Sequence, residues 1–124
     1  MTTSPASPAD APLRYQRDAR GVHHLTLNQP RSFNVLGEAM LTELQGRLDQ
    51  IAADPDARAV VIGAEGKAFC AGHDLKQMKA SPRLDYYKAL FAQCSRMMLA
   101  ILKLPVPVIA RVQGLATAAG CQLV

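Results

Sequence analysis

The sequence predicts an α/β domain in which strands and helices alternate along the chain. The segment from about Arg58 to Gly63 is a continuous apolar run, which is typical of a strand buried on both faces in a parallel sheet. Apolar residues between Gly37 and Ala53 recur instead at helical spacing. The full order of predicted elements is β-β-α-β-α-α-β-α. The helix stripe consists of Met40, Leu41, Leu44, Leu48 and Ile51.

A hairpin is predicted ahead of that helix. Residues Leu13 to Ala19 alternate loosely and indicate a first strand, Arg20-Gly21 marks a turn, and Val22 to Leu27 indicates a second strand. His23 and His24 are neighbours on this strand, so their side chains point to opposite faces. A metal site needs convergent ligands, so both are interpreted as ordinary sheet residues.

The second half of the chain is predicted to contain three helices and one strand. A short helix covers about Asp74 to Lys79. A longer helix covers Pro82 to about Lys103, with Ser81 as its cap and proline in its first turn. Two prolines stop it, Val108 to Val112 indicates a strand, and a last helix begins near Ala118.

Composition narrows the classes of function. The 124 residues carry a net charge of +4 and 49% of them are hydrophobic, so the chain can bury a core, and its basic residues form no block typical of nucleic-acid binding. The three cysteines form no CxxC pair, which favours a reducing compartment: cytoplasmic, or mitochondrial in a eukaryote. The sequence contains no apolar run of about 18 residues, so no membrane span is predicted. Residues 1–12 are interpreted as a disordered leader before a domain at 13–124.

Two segments combine small residues, glycine and a predicted helix start. They are Phe69 to Lys76 and Gln113 to Cys121, and each follows a predicted strand. Backbone N–H groups at such positions lack partners, and the helix dipole makes them attractive to an anion or a polarised carbonyl oxygen. We expect the two segments to face each other and to supply two donors to one oxygen, as in an oxyanion hole. A simple glycine turn is the competing interpretation.

Four sequence blocks are together more specific than any of these features: Leu27–Asn34, Ala68–Lys76, Pro105–Ala110 and Gly114–Leu123. In this order and spacing they resemble the enoyl-CoA hydratase/isomerase (crotonase) superfamily over about residues 13–124. The residues of the second and fourth blocks resemble those of the branch typified by enoyl-CoA hydratase domain-containing protein 3. The resemblance implies a spiral of ββα turns, of which this chain is the N-terminal part, and a homotrimer or hexamer of the full-length protein.

The resemblance also implies a ligand and a site. Family members bind acyl-CoA thioesters and stabilise an enolate-like oxygen with two backbone N–H groups, which fall here at His73 and Ala119. Coenzyme A enters with the substrate, so neither a separate cofactor nor a metal is expected. An arginine at position 31 suits the phosphates of CoA, although a solvated surface charge is the simpler interpretation of a lone arginine. The implied CoA contacts are Arg31, Ser32, Phe33, Ala71, Gly72, Asp74 and Leu75.

One position departs from the family pattern. Hydratases activate water with two glutamates. The position of the first is occupied here by Gln122, and the position of the second lies beyond Val124. An amide cannot act as a general base, so hydration by the usual pair is doubtful. Asp74 is interpreted as a helix-cap charge. The His73 imidazole stays a candidate acid or base beside the backbone role.

Three functions therefore remain open. The first is an acyl-CoA hydratase or isomerase with doubtful hydratase activity. The second is a non-catalytic acyl-CoA-binding or regulatory module. The third is an inactive truncated fragment, because the sequence stops inside an apolar helical segment without a capping residue. Cys70 and Cys121 lack an activating neighbour and are not expected to be nucleophiles.

Overall fold

The computed structural model describes residues 8–124 and confirms the α/β class. Strands and helices alternate after an N-terminal hairpin, and a single 3-10 turn at Pro30–Ser32 follows that hairpin in the described part. The strands are Leu13–Arg17 (β1), Val22–Leu27 (β2), Ala59–Ala64 (β3), Ala68–Cys70 (β4), Val108–Ala110 (β5) and Leu115–Ala116 (β6). The helices are Glu38–Ala52 (α1), Leu75–Ala80 (α2), Leu84–Lys103 (α3) and Ala119–Leu123 (α4).

The main sheet has the strand order β1-β2-β3-β5. The predicted hairpin is confirmed, since β1 and β2 are antiparallel with Tyr15 opposite Leu25. The predicted parallel strand is also confirmed, because β3 runs parallel to both β2 and β5, with Ile62 beside Leu25 and Ala110. Its expected burial on both faces is only half right. Val60 and Ile62 are buried, whereas Val61 on the other face is half-buried.

Helix α1 buries its whole apolar stripe, because all five residues of the predicted stripe lie in the core. Helix α3 packs against α1 but buries only Leu90, Cys94 and Met97. Other apolar residues of α3, including Leu84 and Leu102, are exposed. One face of this 20-residue helix is therefore uncovered in the described part of the chain.

The predicted start of α3 is wrong by two residues. Arg83, in an extended conformation, is the N-cap, and Ser81 instead closes α2, where its N–H donates to the Met78 carbonyl at 3.2 Å. The local Ser-Pro signal was outweighed because the preceding helix uses the serine as its own C-cap. The predicted strand to Val112 ends at Ala110, beyond which no partner strand continues the pairing in the described part.

Residues 8–12 form a turn against the start of the fold. The Ala11 N–H donates to the Pro8 carbonyl at 3.1 Å. The Asn28 side-chain amide donates to the carbonyls of Ala9 at 2.9 Å and Ala11 at 3.0 Å. Residues 1–7 of the predicted leader lie outside the described residues, so a disordered leader over 1–12 stays a prediction.

A chain of polar side chains joins the hairpin to the end of α1. The Tyr15 hydroxyl lies 2.9 Å from Nδ1 of His23, and Nε2 of His23 lies 2.8 Å from Oδ2 of Asp54. Because a carboxylate only accepts, Nε2 donates and Nδ1 accepts from the hydroxyl. Arg17 donates to the same carboxylate oxygen at 3.0 Å. His23 is thus a satisfied core residue, and His24 occupies the wetter face, as predicted.

This network predicts a stability that depends on pH in acid. The Arg17 guanidinium, followed by the Asp56 N–H, holds the pKa of Asp54 at about 2, below its ordinary 3.8. Such a carboxyl stabilises the fold above its unfolded pKa and loses that contribution as the pH falls through its folded pKa. Between about pH 4 and pH 2 the urea midpoint should fall more steeply for the wild type than for Asp54→Asn. Parallel midpoints would contradict the assignment.

Candidate active site

The two glycine-containing segments lie against each other, as expected. Strand β4 pairs in parallel with β6, placing Ala68 beside Leu115 and Cys70 beside Ala116. The Thr117 N–H then donates to the Cys70 carbonyl at 3.1 Å. The pairing brings the chain after β4 next to the start of α4.

The two segments can approach this closely because Gly72 and Gly120 have no side chains. A Cβ built on Gly120 would lie 2.0 Å from the carbonyl oxygen of Cys70, a separation that no real Cβ has. Gly72 has φ +98°, and a Cβ there would lie 3.0 Å from the Ala118 Cβ and 3.4 Å from the Ala119 nitrogen. The Ala119 N–H therefore lies at the contact between the two segments.

The N–H groups of His73 and Ala119 have no hydrogen-bond partner among residues 8–124. Leu36 forms a parallel bridge with His73. The Leu36 N–H donates to the Gly72 carbonyl at 2.7 Å, and the Asp74 N–H donates to the Leu36 carbonyl at 3.4 Å. In such a bridge the N–H of the central residue points away from the partner strand. Ala119 is the first residue of α4, where N–H groups have no intrahelical acceptor. Both groups are thus free to donate.

The residue before the second donor is held in an unfavourable conformation. Ala118 has φ 51° and ψ −127°, a region that suits glycine rather than alanine. Such a residue stores roughly 1–3 kcal/mol of strain. The packing around β4 and α4 keeps it there, so the direction of the Ala119 N–H is set by tertiary structure.

A cleft of about 500 Å³ opens beside this contact, between α3 and α4. Its walls are mainly apolar with a few polar groups, which is the usual composition of a ligand site. The His73 ring meets the Phe91 ring edge-on, with centroids 5.0 Å apart. The lining residues are His73, Phe91, Cys94, Ser95, Met98, Leu99 and Gln122.

Burial at the cleft disfavours the charged form of the His73 imidazole. Burial lowers its pKa below the ordinary 6.5, and the backbone of Leu36 only partly opposes this shift. Nδ1 is closed off from solvent and has no partner within hydrogen-bond distance. Gln122 shares the same cleft from α4, although its predicted role remains untested.

The two stretches implied to contact CoA are neighbours. The Ala71 N–H donates to the Phe33 carbonyl at 3.1 Å. Phe33 and Leu75 expose large apolar side chains, and Arg31 is exposed without an ion pair in the described part. Ser32 is less available, since its hydroxyl donates to the Gln29 carbonyl at 3.2 Å. Their contact with CoA stays a prediction.

Other side chains near the site have structural roles. The Asp74 carboxylate accepts the Gln77 N–H at 3.2 Å and caps α2, which agrees with the cap interpretation. Burial raises the pKa of the Cys70 and Cys94 thiols, so neither is a ready thiolate. Residues 8–124 contain no group of three or more His, Cys, Asp or Glu able to hold a metal ion. No helix in that range is long and apolar enough to cross a membrane.

Sequence reasoning missed the residue that fixes the loop beside β4. Asn34 is fully buried with φ 54°, and its Oδ1 accepts the Gln29 N–H at 2.7 Å. Its Nδ2 donates to the carbonyls of Glu65 and Ala68, each at 2.9 Å. Gln113 donates to the same Ala68 carbonyl at 3.1 Å. The tolerance of asparagine for a left-handed backbone was the available signal.

Residues 17–124 match the family Enoyl-CoA hydratase/isomerase. A curated relative, enoyl-CoA hydratase domain-containing protein 3, mitochondrial, from Xenopus laevis, is 43% identical over 91% of this chain. A crystal structure of an enoyl-CoA hydratase from Mycobacterium smegmatis superposes with a TM-score of 0.89 over 90% of this chain, at 60% identity. The human enoyl-CoA hydratase domain-containing protein 3 gives a TM-score of 0.84 over 90%, at 42% identity.

The chain spans about two fifths of the length of these relatives: 38% of the Xenopus protein and 44% of each solved chain. The likeness nevertheless covers nearly all of the chain itself, and it confirms the crotonase-like fold and the branch that the sequence blocks indicated. The family match runs from the last residue of β1 to the end of the given sequence. The chain therefore belongs to the enoyl-CoA hydratase/isomerase family.

Proposed function

We propose that the protein binds an acyl-CoA and polarises its thioester carbonyl between the N–H groups of His73 and Ala119. The observation that carries the proposal is the pair of unpartnered backbone donors on two segments that pack together, of which His73 lines the cleft and Ala119 lies beside Gly72. Negative charge that develops on the thioester oxygen would be stabilised by both. Removal of one such donor typically costs about 10²–10³ in rate.

The CoA part of the ligand would lie along the paired stretches at residues 31–33 and 71–75. The exposed Arg31 guanidinium has no partner in the described part of the chain and is free for a phosphate. The exposed Phe33 and Leu75 side chains offer apolar surface beside it. The acyl chain would enter the cleft between α3 and α4, whose walls include Phe91 and Met98.

Deleting one donor tests the proposal directly. Ala119→Pro removes the N–H, and proline is tolerated in the first turn of a helix. We expect it to weaken binding of crotonyl-CoA, measured by calorimetry, by about tenfold, since one hydrogen bond contributes roughly 0.5–1.5 kcal/mol. Ala119→Ser keeps the N–H and is the matched control. Equal affinity of both variants, each with a cooperative melt, would exclude Ala119 as a donor.

A non-catalytic acyl-CoA binder is the second candidate, and Gln122 favours it. The amide lies on the cleft wall at the position of the family's first glutamate but cannot take a proton from water. We therefore propose weak or absent hydration of crotonyl-CoA. Binding without turnover of any acyl-CoA would support the binder, whereas robust hydration with Gln122 intact would refute this account of the position.

The proposal includes a homotrimer or hexamer of the full-length protein. The exposed apolar residues of α3 and β5, among them Leu102 and Ile109, are compatible with a covered face in an assembly. For the compartment we propose the cytoplasm, or the mitochondrion if the source is eukaryotic. The curated relative from Xenopus laevis carries the word mitochondrial in its name.

A further inference from the structure

The His73 side chain has a position that the backbone role of this residue does not require. Any residue except proline would supply the N–H. The imidazole instead lines the cleft that Gln122 also lines, and its ring meets the Phe91 ring edge-on with centroids 5.0 Å apart. Among the described lining residues, it is the only side chain whose ordinary pKa lies near neutrality.

The surroundings distinguish the two ring nitrogens. Nδ1 is closed off from solvent, so the open side of the ring toward the cleft carries Nε2. The backbone of Leu36 partly opposes the lowering of the ring's pKa, although Nδ1 has no partner within hydrogen-bond distance. In the neutral tautomer that carries its proton on Nδ1, the Nε2 lone pair has no partner among residues 8–124.

No neighbouring charge competes with this assignment. The shift in the pKa of His73 comes from burial and the Leu36 backbone, with no contribution from a charged side chain. The Cys94 thiol on α3 lines the cleft, and burial raises its pKa, as it raises the pKa of the buried Cys70 thiol on β4. The adjacent Asp74 carboxylate is held at the start of α2 by the Gln77 N–H.

We propose that Nε2 of His73 is a proton acceptor of the site, taking a proton from the carbon next to the thioester carbonyl of the bound acyl-CoA. This inference rests on the proposed function. The C–H electron pair becomes the C=C bond of an enolate, the carbonyl π pair moves to the oxygen, and the imidazole becomes imidazolium. If the imidazolium exchanges its proton with solvent first, return of a solvent proton to the same carbon gives exchange. Return to the γ carbon of a β,γ-unsaturated chain moves the double bond.

The chemistry assigned to the site is thus enolisation and double-bond migration rather than addition of water. Both steps need only one base that accepts and returns a proton, together with a stabilised oxygen. Hydration would also need a group that activates water, which Gln122 does not provide. The lowered pKa of His73 keeps the accepting form populated at neutral pH.

The test measures exchange of the α protons of butanoyl-CoA in D₂O by NMR, with affinity measured in parallel by calorimetry. His73→Gln and His73→Ala keep the backbone N–H and remove the base. We expect both to bind within about threefold of wild type and to lose about 10²–10⁴ of the exchange rate. Free imidazole should restore part of the rate in His73→Ala. His24→Gln, on the wetter face of β2, is the matched control and should exchange like wild type.

The pH profile supplies a readout that packing alone would not change. Since the neutral ring is the base, the wild-type exchange rate should rise with pH through the pKa of His73, which lies below the ordinary 6.5, and level off once the ring is neutral. This rise of the exchange rate with pH should be absent in His73→Gln. Bound butanoyl-CoA with no exchange, or with exchange unaffected by His73, would overturn the inference alone. Failure of the wild type to bind any CoA thioester would overturn the proposed function and the inference with it.

Discussion

Gly120→Ala should detach α4 from β4 and lower the free energy of unfolding by about 3 kcal/mol, the upper end of the usual cost of overpacking. The added methyl would lie 2.0 Å from the Cys70 carbonyl oxygen, 2.7 Å from its carbon and 2.9 Å from the Cys70 Cβ. Two of these three atoms are backbone atoms of a paired strand, so no side chain can rotate away. Urea denaturation followed by circular dichroism measures the loss.

The same substitution should also abolish the proposed donor function. The Ala119 N–H precedes Gly120 directly, so a shift of α4 moves the donor away from His73. Crotonyl-CoA affinity should fall at least as far as in Ala119→Pro. Gly46→Ala is the matched control, because a Cβ there meets nothing within 4 Å on the exposed face of α1. It should stabilise the chain by up to about 1 kcal/mol. A neutral Gly120→Ala would contradict the observed packing.

Asn34→Ala should be comparably destabilising, by about 3 kcal/mol. It removes three hydrogen bonds at a fully buried position. A buried polar group left without a partner costs roughly 1–3 kcal/mol. The Gln29 N–H and the Glu65 carbonyl lose their side-chain partner, whereas the Ala68 carbonyl keeps its bond from Gln113. Alanine also tolerates the left-handed backbone at φ 54° less well than asparagine.

Two variants separate these contributions. Asn34→Asp keeps an acceptor for the Gln29 N–H but directs a carboxylate oxygen at two carbonyls, so we expect a loss similar to that of alanine. Asn28→Ala removes two side-chain bonds to Ala9 and Ala11 at a more exposed place. It should cost less than about 1 kcal/mol because water replaces the lost bonds. Equal losses for Asn34→Ala and Asn28→Ala in urea melts would show that burial of Asn34 is not decisive.

Elements with a strong local pattern were predictable from sequence. The stripe of α1 follows the helical period over four turns, and its predicted residues are the buried ones. Strand β2 has the predicted bounds because a glycine turn precedes it and a proline follows. Strands β4 and β6 were missed. They are three and two residues long, and their pairing joins distant segments, so no local periodicity marks them.

The features of the candidate site were likewise predictable from the sequence only in part. Glycines and helix starts indicated two donor segments, and the family resemblance gave the positions His73 and Ala119. The sequence could not show that Leu36 bridges to His73 and turns its N–H outward, since the pairing depends on tertiary structure. The strained φ of Ala118 was equally hidden, because alanine carries no signal for that conformation.

The two proposed donors are held in place differently. The Leu36 bridge holds His73, whereas Ala119 follows the strained Ala118 (φ 51°) at the point where Gly120 packs on the Cys70 carbonyl. A strained backbone persists only while the surrounding packing holds it. The affinity for a carbonyl ligand then scales with the fraction of molecules in which α4 is docked. An acyl-CoA bound to both donors would raise that fraction, and amide hydrogen exchange in α4 would slow accordingly.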